Sequence, residues 1–90
     1  MNINLELYKV FYYVAKNESI SRAANELSIS QPAISKSIKS LEEQINTNLF
    51  TRKRDGVELT EAGETIFKKI KDAMDLIYSA ENDLEVLTSM

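Results

Sequence analysis

The 90-residue sequence contains no cysteine and no histidine, two glycines and a single proline. Disulfides, thiol chemistry, zinc-finger ligation and imidazole acid–base catalysis are therefore excluded from these residues. The longest apolar run, Val10 to Ala15, is far shorter than a membrane span, and no basic segment precedes it. We expect one small, mainly helical domain in the reducing cytoplasm, without a transmembrane helix or a signal peptide.

Acidic groups outnumber basic ones, and the net charge of -3 argues at first against a nucleic-acid partner. The two signs are unevenly distributed. Residues 1–30 carry three of each (net 0), residues 31–54 carry five basic and two acidic groups (net +3), and residues 55–90 carry three and nine (net -6). With a Debye length of about 8 Å at physiological salt, acid held away from the central segment would be largely screened there.

Apolar residues at three- and four-residue intervals predict a first helix from Leu5 to Lys16. Ser19 is a suitable N-cap for a second helix that runs to Leu27, and residues 28–30 form a turn. Ser28 stands where many helix-turn-helix motifs have glycine, so we expect it to adopt a positive φ at some cost. The residues expected to bury the crossing of the second and third helices are Ala24, Leu27, Ile29, Ile34 and Ile38.

The third helix is predicted to begin after the N-cap Ser30 and to end at Asn46, with Ile34, Ile38, Leu41 and Ile45 buried. Its outward face carries Gln31, Pro32, Ala33, Ser35, Lys36 and Lys39. Short and basic side chains near a helix N-terminus can contact base edges in a major groove about 12 Å wide. A solvated helix face is the alternative interpretation, and the helix-turn-helix spacing favours the DNA-binding one.

Residues 50–59 predict the one β structure, a hairpin of Phe50–Arg54 and Val57–Leu59 around an Asp55-Gly56 turn. Arg52, Lys53 and Arg54 could contact phosphates or a narrow minor groove from it. A solubilising charge run on an edge strand is the alternative. Next to a recognition helix, the hairpin would be a wing.

Thr60 is predicted to cap a final helix that extends to about Thr88, roughly 40 Å long. Its apolar residues follow a 4-3 spacing that is typical of a seam between two helices, namely Ile66, Ile70, Ala73, Ile77, Ala80, Leu84 and Leu87. The first turns, with Phe67, should pack on their own domain. The predicted homodimer interface comprises Ile70, Ala73, Ile77, Ala80, Leu84 and Leu87, which divides the chain into residues 1–59 and a linker helix, residues 60–90.

Several short motifs occur in a specific order: SISRAA at 19–24, SQPAISK at 30–36, Leu-Glu at 41–42, Leu-Phe at 49–50 and LTEAG at 59–63. Together they resemble the LysR-type bacterial transcription regulators over residues 1 to about 66. The resemblance implies a winged helix-turn-helix with a dimerising linker helix, bound to double-stranded DNA at interrupted inverted repeats with T and A at their ends. It also implies that Gln31, Pro32, Ser35 and Lys36 contact bases, while Arg52 and Arg54 hold the backbone.

The sequence departs from the family pattern at Lys36, where arginine is more usual, and at Ile45-Asn46, where Leu-Gly is common. The family normally carries a larger ligand-sensing domain after the linker helix, so an effector would bind outside these residues. An enzyme is disfavoured because no nucleophile–base pair or glycine-rich loop is present, and no cofactor or metal is expected. A coiled-coil adaptor without DNA binding is the alternative, and an RNA-binding winged helix is less favoured for lack of exposed stacking aromatics.

Overall fold

The computed structural model describes all 90 residues, which form four helices and one antiparallel hairpin. In chain order these are α1 (Leu5–Asn17), α2 (Ile20–Leu27), α3 (Gln31–Ile45), β1 (Phe50–Lys53), β2 (Gly56–Leu59) and α4 (Glu61–Thr88). None of the helices is both long enough and apolar enough to cross a membrane. The predicted mainly helical fold, with a two-stranded hairpin and a long last helix, is confirmed.

Hydroxyl side chains start the last three helices as predicted. Each accepts a hydrogen bond from a backbone N–H of the first turn, which would otherwise lack an intrahelical acceptor. The pairs are Ser19 Oγ with Arg22 N, Ser30 Oγ with Ala33 N, and Thr60 Oγ1 with Gly63 N, at 3.1, 3.2 and 3.0 Å. Local sequence therefore sets where α2, α3 and α4 begin.

Three helices end at residues in the left-handed conformation, Glu18 (φ 53°), Ser28 (φ 57°) and Asn46 (φ 55°). Ser28 therefore adopts the positive φ expected of it in the turn between α2 and α3. The turn is closed by the amide of Ile29, which donates to the Ala24 carbonyl at 3.1 Å. Ile29 is 42% exposed, so its predicted burial at the helix crossing was wrong. It lies between the left-handed Ser28 and the N-cap of α3, in the turn outside the packed helix faces.

The core lies where α1, α2 and α3 meet the hairpin. Phe11 is fully buried at its centre, with its ring centroid 5.4 Å from that of Phe50 and 6.3 Å from that of Phe67. Ile34 and Leu41 bury the inner face of α3, and both are 0% exposed. The aromatic contacts join the hairpin and the start of α4 to the helix-turn-helix through one side chain of α1.

The hairpin turn differs from the sequence prediction. Lys53 pairs with Gly56, so Arg54 and Asp55 form the turn, and Gly56 is the first residue of β2. Gly56 has φ 149°, and a Cβ there would stand 2.3 Å from the carbonyl oxygen of Glu18. That oxygen accepts a hydrogen bond from Val57 N at 3.1 Å. Glycine is therefore required for the close approach of β2 to the end of α1, and the predicted Asp55-Gly56 turn was wrong.

The first half of α4 packs on its own domain. Phe67 stacks on Tyr12 with ring centroids 6.1 Å apart, and Met74 is 8% exposed. Further along, the hydroxyl groups of Tyr13 and Tyr78 meet, and burial together with this hydrogen bond raises the pKa of Tyr78. Every residue after Tyr78 is exposed. The helix thus leaves the domain near its midpoint.

Candidate nucleic-acid interface

The outward face of α3 is largely exposed to solvent. Gln31, Pro32, Lys36 and Lys39 are exposed, and Ala33 and Ser35 are half-buried. On the opposite face of the same helix, Ile34, Ile38 and Leu41 are at most 7% exposed. Because the buried face fixes the helix against the core, the predicted base-contacting residues are presented on a rigid element rather than on a loop.

The start of α3 is well suited to close approach by a ligand. Ser30 caps the helix, and Pro32 lies in the first turn, where a missing N–H removes no helical hydrogen bond. Neither Gln31 nor Lys36 makes a side-chain hydrogen bond within the chain. These side chains are therefore free to donate and accept elsewhere.

The hairpin, residues 50–59, stands beside α3 and is called the wing below. A depression of about 280 Å³ separates the two elements, and Ser35 and Lys39 of α3 line it together with Arg52 of β1. Its floor is apolar and includes Ile38 and Val57. The structure therefore brings predicted contact residues of α3 and of the wing to a common surface.

The cations of this surface differ in whether they have an internal partner. Lys36, Lys39, Arg52 and Arg54 have no carboxylate within 4.0 Å, whereas Lys53 Nζ lies 3.1 Å from a carboxylate oxygen of Glu58. Both members of that pair are more than half exposed, so it is a weak interaction. The four unpaired cations are available to an anion without first breaking an ion pair.

Glu42 is a residue of this region that the sequence analysis did not assign. It lies on α3, and its carboxylate oxygen Oε2 accepts hydrogen bonds from Leu49 N at 2.6 Å and Phe50 N at 3.2 Å. The Leu-Glu motif was visible in the sequence, but its bonding partners follow only from the folding of the loop after α3. No group of three or more acidic side chains is placed to hold a metal ion.

The predicted dimer residues fall into two environments. Ile70 is half-buried and packs against the domain's own core. Ala73, Ile77, Ala80, Leu84 and Leu87 are exposed, by 51% at Ile77, 60% at Leu84 and 66% at Leu87. A groove of about 260 Å³ runs between α1 and α4 beside them, with Tyr8, Met74 and Ile77 among its lining residues.

Two exposed apolar residues of α4 lie outside the predicted seam. Leu76 is 71% exposed and Val86 is 57% exposed. Met74, in contrast, flanks the seam on the side that faces α1 and is buried. The 4-3 pattern therefore misses Met74, the most buried side chain of α4, and does not cover the full extent of the exposed apolar surface.

Comparison with known proteins gives a consistent result. The family model for bacterial regulatory helix-turn-helix proteins of the LysR family matches residues 5–64. The transcriptional regulator BudR of Klebsiella aerogenes is 42% identical over 83 residues, which are 92% of this chain and 56% of BudR. The uncharacterized regulator YcaN of Escherichia coli K12 is 40% identical over 77 residues, 86% of this chain and 26% of YcaN. The chain thus spans from about a quarter to just over half of these curated relatives.

A solved structure of a DNA complex has the same fold. The DNA-binding domain of CbnR bound to DNA matches with a TM-score of 0.77 and 26% sequence identity, over 96% of this chain and 99% of that one. The match extends beyond the helix-turn-helix to nearly the whole chain, α4 included.

Proposed function

This chain belongs to the LysR family of bacterial regulatory helix-turn-helix proteins and carries the family's DNA-binding domain, and we propose that it binds a specific operator with α3 in the major groove and the wing on the adjacent backbone or minor groove. The main support for this geometry is that the solvent-exposed outward face of α3 lies beside the unpaired cations of the wing. Its relatives are transcriptional regulators, and we place its activity in the bacterial cytoplasm, where the chromosome lies.

We assign base contacts to the N-terminal half of α3. Gln31 can bond adenine through two hydrogen bonds, Pro32 and Ala33 can contact thymine methyl groups, and Ser35 can bond a base or a phosphate. Lys36 reaches guanine or a phosphate as a single point charge, since it lacks the planar fork of arginine. Ser30 and Lys39, at the ends of this surface, contact the flanking phosphates.

We assign backbone contacts to Arg52 and Arg54, with Lys53 in support. Contacts to phosphate supply affinity that depends on salt, whereas contacts to base edges supply sequence preference. The net charge of -3 does not oppose this division, because the acidic residues are concentrated on α4. The end of α4 beyond Tyr78 leads away from its own domain, and the charge of Glu81, Asp83 and Glu85 on it is screened at distances beyond about 8 Å.

We further propose that α4 pairs two copies of the chain. Ile77, Leu84 and Leu87 expose apolar surface along one side of a helix that has no core of its own. The groove between α1 and α4 continues this surface and could accept the matching helix of a second copy. Two recognition helices related by twofold symmetry would then contact an interrupted inverted repeat, with half-sites separated by about 34–36 Å or a multiple of that distance.

Titration with sheared bacterial genomic DNA at about 50 and 200 mM salt tests the DNA assignment, since six to ten phosphate contacts would weaken binding by about 10³ to 10⁵ between these conditions. A coiled-coil adaptor would bind at neither concentration. Sequencing the fragments that survive repeated selection would then define the operator. Selected fragments without an inverted repeat would contradict the dimeric mode while leaving DNA binding intact.

A further inference from the structure

The loop between α3 and β1 is bonded largely to a single residue of α3. The backbone carbonyl of Glu42 accepts a hydrogen bond from Thr47 N at 3.0 Å, and its carboxylate accepts from Leu49 N and Phe50 N. Three of the four backbone amides of residues 47–50 thus donate a hydrogen bond to Glu42. Hydrogen bonds to an ionised acceptor are about twice as strong as those between neutral groups, so this contact is well suited to fix the loop.

The same loop is held from its other side by the start of α4. The carbonyl of Leu49 accepts a hydrogen bond from Thr60 N at 3.0 Å, and the carbonyl of Asn48 accepts one from Thr60 Oγ1 at 2.8 Å. Leu49 itself is 0% exposed. Backbone N–H groups of this segment therefore donate to Glu42 of α3, and two of its backbone carbonyls accept from Thr60, the N-cap of α4.

Fixing Phe50 sets the direction in which the wing presents its arginine. Side chains two residues apart on a strand lie on the same face, so Arg52 lies on the face of Phe50. Both residues line the depression between α3 and the wing, and Glu42 lines it as well. Glu42 therefore lies at the point where the position of α3 is transmitted to the first strand of the wing.

We propose that Glu42 is the positioning residue that sets the wing relative to the recognition helix, so that Arg52 and Arg54 reach phosphate while α3 occupies the major groove. This proposal rests on the proposed function of the wing. Glu42 does so without contacting DNA, through the amides of Leu49 and Phe50. Its effect on binding is opposite in sign to that of an ordinary acidic residue near DNA, whose removal strengthens binding.

Glu43 provides a matched control. It has the same charge, is adjacent on α3, is exposed, and its carboxylate accepts no hydrogen bond and has no cation within 4.0 Å. Glu42→Ala and Glu43→Ala therefore remove the same charge from nearly the same place. Glu42→Gln removes the charge but retains an oxygen that can accept from the same amides.

The first measurement is binding of the 90-residue chain to a random-sequence 30-base-pair duplex, followed by fluorescence anisotropy across a salt series. We expect Glu42→Ala to weaken binding about tenfold and to lower the magnitude of the salt slope by about one. Glu43→Ala should strengthen binding slightly, and Glu42→Gln should restore at least half of the loss on a logarithmic scale. Equal effects of the two alanine variants would overturn the proposal.

A thermodynamic cycle separates positioning from general loss of structure. In a background that carries Arg52→Ala and Arg54→Ala, Glu42→Ala should change affinity by less than about twofold, because the two main contacts that it would misplace are already absent. A tenfold effect that persists in this background would show that Glu42 acts elsewhere, and would overturn the proposal.

Hydrogen exchange in the absence of DNA tests whether Glu42 fixes the loop between α3 and β1, independently of DNA binding. In Glu42→Ala, the amides of Leu49 and Phe50 should exchange at least about tenfold faster, whereas those of Ile38 and Leu41 should be unchanged. If Glu42→Ala does not fold, Glu42→Asp, whose side chain is shorter by one methylene, takes its place in all three measurements. Wild-type protein that binds no DNA would overturn the proposed function, whereas unchanged amide exchange at Leu49 and Phe50 would overturn only the positioning role of Glu42.

Discussion

Leucine occupies opposite environments on the two longest helices: Leu41 on α3 is fully buried, whereas Leu76 on α4 is 71% exposed. The difference extends to the regions around them. Residues 1–59 contain every buried hydrophobic residue except Met74, whereas α4 beyond Met74 contains no buried residue at all. The first region has a core that can support its own folding, whereas the second has apolar surface and helix propensity but little besides the Tyr13–Tyr78 contact to hold it to the rest of the chain.

The largest expected effect comes from substituting the two leucines. Leu41→Ala should lower the free energy of unfolding by about 2–5 kcal/mol, because it leaves a cavity in the core. Leu76→Ala should change it by no more than about 0.5 kcal/mol. Urea denaturation followed by circular dichroism measures both. A large loss for Leu76→Ala would mean that this part of α4 belongs to the folded core and would remove the contrast between the two regions.

The next effect tests whether a second copy covers the exposed part of α4. Ile77→Asp would bury an unpaired charge in such an interface and should convert a dimer into a folded monomer. Affinity for an inverted-repeat operator should fall by about 10²-fold, because the second half-site is no longer held at high effective concentration, while affinity for a single half-site barely changes. Sedimentation velocity and half-site titration measure the two consequences.

Ser79→Asp is the control for this experiment. Ser79 is exposed and lies roughly 200° around the helix from Ile77, so it adds the same charge to α4 away from the seam. We expect this variant to stay dimeric. A wild type that is monomeric at micromolar concentration would remove the dimer altogether.

The two regions also differ in how far the sequence could predict them. Helix starts were predictable because Ser19, Ser30 and Thr60 bond to amides three residues away, within a local segment. The position of the hairpin turn was not, because the conformation of Gly56 is tied to the carbonyl of Glu18, far away in the sequence. Dipeptide preference alone favoured Asp55-Gly56 as the turn.

The same limit applies to the site and to α4. The outward face of α3 followed from helical periodicity, and the family predicted from short motifs was confirmed by the match over residues 5–64. The role of Glu42 could not be derived, because its partners are brought to it by a loop of irregular structure. On α4 a single apolar spacing includes both Ile70, which packs on the core of its own domain, and Ile77, which is exposed, so the spacing alone could not separate them.

Within the helix-turn-helix region, base contacts should have smaller effects than loss of the core. Gln31→Ala and Ser35→Ala should each lose about 1–3 kcal/mol of discrimination at the selected operator and leave non-specific binding nearly unchanged. Competition between operator and random duplexes measures this difference. Equal losses on operator and random duplexes would mean that α3 contacts the DNA backbone rather than the bases. Its exposed face would then contribute only through its charge.

The smallest effects concern the wing, where three neighbouring cations differ in their internal partners. Arg54→Ala and Arg52→Ala should each reduce the magnitude of the salt slope by about one on any DNA, because each would remove one of the proposed phosphate contacts. Lys53→Ala should reduce it by less, since Glu58 lies 3.1 Å from its amino group and already neutralises part of the charge.

Glu58→Gln sharpens the contrast within the wing, because it removes the internal partner of Lys53 and leaves the lysine free to contact phosphate. In that background, Lys53→Ala should have the larger effect that Arg54→Ala has in the wild type. Both residues of the pair are more than half exposed, so we expect the change in affinity to correspond to about 1 kcal/mol or less. Measuring the salt slope of the single and double variants on one random duplex determines it. Identical slopes for Lys53→Ala and Arg54→Ala in the wild type would mean that DNA displaces Glu58 without cost, and that the wing presents three equivalent cations.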